Sequence, residues 1–227
     1  VGNLVRTDQL GGNAARLKQT ILLQVALLER GLDISEFDVG IDHDRGLTNI
    51  NGVKLGIIFP EHFFAVAQKE YHNRTKIYQF YFNGFEGENS ERRHLLEPYS
   101  ARKDSKVIFC NDGRNINLKG RVNPDYFLGM SMAHFGLCPH QTDWPGDLET
   151  LWTYRFIECL LLKITPVLFK ATPLSEKFIK GFHFVWDDEL TDNLENHKLT
   201  TSELDQNFLS AYEKFTLERG FLGHLKS

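Results

Sequence analysis

Two charged side chains stand inside the most apolar stretch of the chain. Arg155 and Glu158 fall within Leu148–Leu162, where apolar residues cover nearly the whole circumference of a helix. Their i, i+3 spacing puts them on one face near the helix start. Charges are expensive to bury unless they pair with each other or bind something. In one reading the two make an internal Arg–Glu pair on a wet edge. In the other, Arg155 meets an anionic ligand and Glu158 accepts from sugar hydroxyls. The second draws on the helix N-terminus, around Leu148–Thr153, whose free N–H groups and dipole favour phosphate when the helix follows a strand.

Other residues carry chemistry of their own. Asp42-His43-Asp44 follows an apolar strand expected at Glu36–Ile41. Asp42 and Asp44 offer hard oxygen ligands at a spacing that suits Mg²⁺ or Mn²⁺. The same triplet also fits an ordinary turn, or a general base, Asp42, His43 or Asp44, facing a cleft. Local sequence leaves all three open. Asn83-Gly84 ends an aromatic strand, Lys76–Asn83, either in a plain turn or in a cleft-facing loop. Arg114 closes the loop Asn111–Arg114 after a strand at Val107–Cys110, and ligands gather at strand C-termini in parallel sheets. The cluster Arg92, Arg93, His94, Arg102 and Lys103 reads instead as a solvated face.

These residues need elements to hold them. Phe135–Cys138 is a short apolar strand ended by Pro139, and Asp147 is positioned to cap the helix Leu148–Leu162. Thr165-Pro166 stops that helix and Val167–Phe169 resumes as strand. Asn13 caps a helix running to Arg30, which Gly31 ends. Strand Val53–Phe59 and helices His62–Tyr71, Glu91–Ala101 and Asn123–Ala133 follow from periodicity, with a last strand at Phe182–Trp186. A terminal helix, Leu204–Glu218, is expected to pack back on the sheet. Strands alternating with helices from Lys76 to Trp186 predict an α/β fold: a Rossmann-like parallel sheet with helices on both faces.

The run Phe135-Gly136-Leu137-Cys138-Pro139, a polar loop, then TYRFIECLLLKITPVL from Thr153 to Leu168 resembles the donor-binding region of exostosin-like glycosyltransferases. The α1,3-fucosyltransferases have a comparable helix and strand. The likeness extends to Lys76–Gly84 (KIYQFYFNG) and Lys106–Arg114 (KVIFCNDGR), about half of the chain. Family members usually carry Gly before the strand that here begins after Leu162-Lys163-Ile164. The resemblance implies a GT-B-like C-terminal domain over 76–227 that binds a nucleotide sugar. Residues 1–75 would be a reduced N-terminal α/β part on the acceptor side, being too few for an ordinary domain of ~100–150 residues. It implies transfer of a hexosyl or deoxyhexosyl group to a glycan or other hydroxyl acceptor. Donor contacts would come from Asn83, Gly84, Arg114, Thr153, Arg155 and Glu158, with Glu158 on ribose hydroxyls. No cofactor is required beyond the nucleotide-sugar co-substrate. The alternatives are a non-catalytic nucleotide- or carbohydrate-binding domain, and a GT-A-type enzyme using Mg²⁺ or Mn²⁺ on Asp42-His43-Asp44.

Net charge of −4 gives no support to nucleic-acid or anionic-membrane binding. Hydrophobic content of 41% is that of an ordinary globular chain with ample core. No apolar run approaches the ~20 residues of a membrane span. Cys110, Cys138 and Cys159, an odd set in apolar runs, are expected reduced and buried. That points to a cytoplasmic, reducing compartment, with peripheral membrane attachment left open.

Overall fold

The computed structural model describes residues 14–43, 45–84, 91–109, 123–140 and 151–217. Helix α1 (Ala14–Leu28) gives way to Gly31 at φ 71°, a left-handed position that glycine fills without strain. An antiparallel meander follows: β1 (Val39–Asp42), β2 (Leu47–Ile50) and β3 (Val53–Leu55). Two longer strands, Glu36–Ile41 and Val53–Phe59, were expected here, and the third was not. The difference lies in Asn51-Gly52, which takes φ 50° and 84° between paired Ile50 and Val53. A two-residue loop with both φ positive turns β2 straight back on β3.

Helix α2 (Glu61–Val66) runs on into a π-helical turn at Ala67–Tyr71. The parallel sheet then forms from β4 (Tyr78–Gly84), β5 (Ser105–Phe109), β6 (Ala133–Leu137), β7 (Thr165–Leu168) and β8 (Val185–Trp186). Their spatial order is β5-β4-β6-β7-β8, and every pairing is parallel. This is the expected α/β, Rossmann-like arrangement, with a strand order of 2-1-3-4-5. Right-handed crossovers that run in opposite directions from β4 must lie on opposite faces. Accordingly α3 (Glu91–Ser100) shares a cluster with Phe80, Phe82, Phe135, Leu137 and Val167. On the other face α4 (Pro124–Ser131) and α5 (Tyr154–Leu161) pack with Tyr81, Ala133 and Leu168. Of the expected solvated basic face, Arg93, His94, Arg102 and Lys103 are exposed while Arg92 is buried, and the Arg93 and Arg102 guanidinia lie over the Phe109 and Phe80 rings.

Short helix α6 (Glu176–Ile179) joins β7 to β8, and α7 (Thr201–Phe215) closes the described chain behind a Thr200/Glu203 capping box. Helix α7 packs on α5, so it forms a second layer over the sheet where a direct contact was expected. One apolar core takes in Ile21 and Leu22 of α1, Phe63 and Phe64 of α2, and Phe156, Phe208 and Phe215. No helix among the described residues is long and apolar enough to cross a membrane.

Helix α5 starts later than its apolar run. Thr153 adopts φ −147° and ψ 140°, and its Oγ1 accepts from the Arg155 N–H, so the helix is capped there. Leu151 and Trp152 are buried ahead of it in non-helical backbone, while Asp147, the expected cap, lies outside the described residues. At the other end Lys163 N–H donates to Leu160 O and Ile164 N–H to Cys159 O, with Lys163 at φ 51°. That is a Schellman ending, whose left-handed position is usually glycine. Lys163 thus adopts the glycine-like backbone in the run where the exostosin-like pattern carries Gly, and it ion-pairs with Asp205.

Cys138 and Cys159 are free and buried, as expected, with their sulfurs 3.6 Å apart; Cys110 lies outside the described residues. Gly136 lets α5 approach β6 so closely that a Cβ there would overlap the Cys159 Sγ. Gly136→Ala should therefore lose ~1–3 kcal/mol by overpacking. Adding Cys159→Ala should recover part of that loss. Urea melts of the two single variants and the double variant measure the coupling, and strictly additive losses would contradict this packing.

Candidate ligand site at the switch point of the sheet

The chain order reverses between β4 and β6, and crevices at such switch points are where open α/β sheets bind ligands. Strand β4 ends there at Asn83 and Gly84, and α5 begins there with Arg155 in its first turn. The guanidinium lies 4.1 Å from the centre of the Phe82 ring and donates from Nη2 to Asn83 O at 3.0 Å. Gly84 makes that contact possible, because a Cβ would overlap Arg155 Nη2. The Asn83 side chain turns back to donate to the Tyr81 hydroxyl at 3.4 Å. The structure thus brings together Asn83, Gly84, Thr153 and Arg155 from segments about 70 residues apart.

Glu158 is 1% exposed and Arg155 6%. They do not pair with each other. Arg155 reaches toward the strand end, whereas Glu158 turns to α4 and accepts from the Tyr126 hydroxyl at 2.5 Å. The internal-pair reading of this helix is corrected by that divergence: a shared face sets where side chains start, not where they end. Three of the buried polar atoms without a partner among the described residues belong to α5: Arg155 Nε, Glu158 Oε1 and the Tyr154 hydroxyl. Each unsatisfied group carries a desolvation penalty of ~1–3 kcal/mol, so each calls for a ligand or water. Burial, reinforced by the Glu158 charge, raises the Tyr126 and Tyr154 phenols well above their ordinary range, so both stay protonated.

The meander reaches the same helix start. The Trp152 indole donates to His43 O at 3.0 Å, and the His43 ring meets Trp152 edge-on and lies over Tyr154 at 6.5 Å. Gly46, at φ 60°, sits beneath Trp152, where a Cβ would come within 2.8 Å of the indole. Gln19 on α1 donates from Nε2 to Leu47 O and Thr48 Oγ1, each at 3.3 Å. Its Oε1 is thereby turned to His43 Nδ1, also at 3.3 Å, which makes Nδ1 the protonated ring nitrogen. His43 is therefore placed beside Tyr154, one residue before Arg155. Asp42 is not: it is half-buried and accepts from the Arg45 N–H at 3.1 Å and from Nη1 at 3.4 Å. Asp44 and Arg114 lie outside the described residues. Among the described residues no three His, Cys, Asp or Glu side chains cluster as metal ligands.

Sequence reasoning passed over Tyr126, Tyr154, Trp152 and Gln19. Tyr154 had a visible signal, standing one helical turn before Glu158. Tyr126 had none, because only the packing of α4 on α5 brings it there. Comparison with protein-family models and with curated proteins finds no match for the chain.

Because Arg155 and Glu158 act separately, a double-mutant cycle of Arg155→Ala and Glu158→Gln should couple by less than ~0.5 kcal/mol in urea melts. A coupling of several kcal/mol would show that the two charges pair after all.

Proposed function

We propose that the chain is a glycosyltransferase that moves a hexosyl or deoxyhexosyl group from a nucleotide sugar to a hydroxyl acceptor. In this reading the parallel-sheet part is a GT-B-like donor-binding domain, in line with the resemblance to exostosin-like enzymes. The observation that carries it is the buried Arg155 in the first turn of α5, at the switch point, whose Nε has no partner among the described residues, with Glu158 Oε1 on the same helix likewise unpartnered among them. The reaction expels a nucleoside diphosphate. A guanidinium and a helix N-terminus aimed at that phosphate stabilise the charge that develops as the glycosidic bond breaks. Glu158 accepts from ribose hydroxyls and holds the nucleotide in register. On the acceptor side, His43 is the base of choice: with Nδ1 protonated by its contact to Gln19, the ring's basic lone pair is on Nε2.

A second reading has support from the first part of the chain. Between Ala14 and Tyr71 stand one helix, a three-stranded antiparallel meander and α2, not a second parallel sheet. That favours a domain that binds nucleotide or carbohydrate without transferring it. The metal-dependent GT-A reading rests on Asp42 with Asp44.

The test is a thermal-shift screen of nucleoside diphosphates and nucleotide sugars, with EDTA or Mn²⁺, followed by sugar-transfer assays on the best donor. A bound nucleotide at ~100 times its Kd should add about 2.7 kcal/mol of stability, unchanged in EDTA. Arg155→Ala should weaken it by at least tenfold, about 1.4 kcal/mol. Binding lost in EDTA and restored by Mn²⁺ would move the site to Asp42 and Asp44. Binding without transfer or sugar release would favour the non-catalytic reading, and no nucleotide binding would overturn both.

A further inference from the structure

Tyr126 belongs to this site through one contact. Its hydroxyl donates to Glu158 Oε2 at 2.5 Å, and both side chains are buried. The position of the ring is set at the start of α4: Asn123 caps the helix by accepting from the Tyr126 N–H, with Pro124 at the first helical position. The phenol keeps its proton, since burial and then the Glu158 charge raise it well above its ordinary value. One carboxylate oxygen is therefore occupied by a permanent donor, and the other, Oε1, has no partner among the described residues. The Tyr154 hydroxyl, one helical turn earlier on α5, is buried and equally unpartnered. An acceptor and a phenol on one helix face suit adjacent hydroxyls, which can donate to the carboxylate and accept from the phenol.

We propose that Tyr126 is a positioning residue: by holding Oε2 it turns Glu158 so that Oε1 faces the ligand, and so selects a nucleotide with a ribose diol over its 2′-deoxy form. This rests on the nucleotide-binding reading of the site. The action of Tyr126 runs entirely through Glu158. Losing its hydroxyl should blur the choice between ribose and deoxyribose while leaving the contacts to phosphate intact.

The experiment is calorimetric titration of wild type, Tyr126→Phe and Glu158→Gln with UDP, GDP, ADP and CDP and their 2′-deoxy counterparts. Wild type should prefer the ribose form by about tenfold or more, the worth of a hydrogen bond to a charged group. In Tyr126→Phe that preference should fall to about twofold or less, with affinity for the deoxy form unchanged. A Tyr126→Phe protein that keeps the full preference overturns the proposal, as does a wild type that binds both forms equally. Both outcomes leave the nucleotide site standing. If no nucleoside diphosphate binds wild type, the parent reading falls and this one with it. Should Tyr126→Phe fail to fold, Glu158→Gln is compared with Glu158→Gln/Tyr126→Phe, in which no carboxylate is left unsatisfied. Equal affinities in that pair support action through Glu158, and a further loss in the double variant overturns it.

Discussion

A guanidinium held out of water without an ion pair among the described residues is the constraint around which this fold is arranged. Arg155 is kept in place by the Phe82 ring, by Asn83 O and by the space that Gly84 leaves. Desolvating such a charge costs several kcal/mol, and one hydrogen bond with one aromatic face offsets only part of it. The remainder is met because the site sits where other forces need it. The α5 helix is buried nearly all round, and Arg155 is carried into the core with its apolar residues. Placed in the first turn by the Thr153 cap, the charge has little choice of direction, and it donates to Asn83 O at the end of β4.

Much of the remaining structure serves to keep α5 from shifting. Its far end is closed by the left-handed Lys163, and His72 Nε2 lies 2.8 Å from Leu161 O in the last turn. Its underside rests on Gly136 through Cys159. Its start is fastened by Trp152, which carries the β1–β2 turn and His43 with it. One buried helix thereby ties together the strand end, the helix start and the His43 ring.

The alternation of strands and helices after Lys76 was legible because parallel strands and their crossovers write distinct periods into the sequence. Asn123-Pro124 marked the start of α4, and the buried state of Cys138 and Cys159 followed from their apolar neighbours. Other features were hidden for physical reasons. Leu148, Leu151 and Trp152 continue the apolar pattern of α5, so periodicity carried the helix back past its cap at Thr153. Asn51-Gly52 did announce a hairpin, but the strands around it are only three and four residues long, and the first of them, β2, was passed over. The parting of Arg155 and Glu158 depends on Phe82 and Tyr126, which lie 73 and 32 positions away in the chain and meet α5 only through packing. His43 and Trp152, 109 positions apart, could not be joined by any local pattern.

Arg155 Nε is the atom on which the account turns, since it is buried and has no partner among the described residues. Its side-chain N–H resonance, assigned in ¹⁵N-labelled protein by loss in Arg155→Lys, reports that atom directly. Titration with the nucleoside diphosphate that best stabilises the protein should shift the resonance and slow its exchange with water, with Tyr154 and Glu158 intact. A nucleoside diphosphate that binds and leaves the Arg155 Nε resonance unmoved would contradict the account.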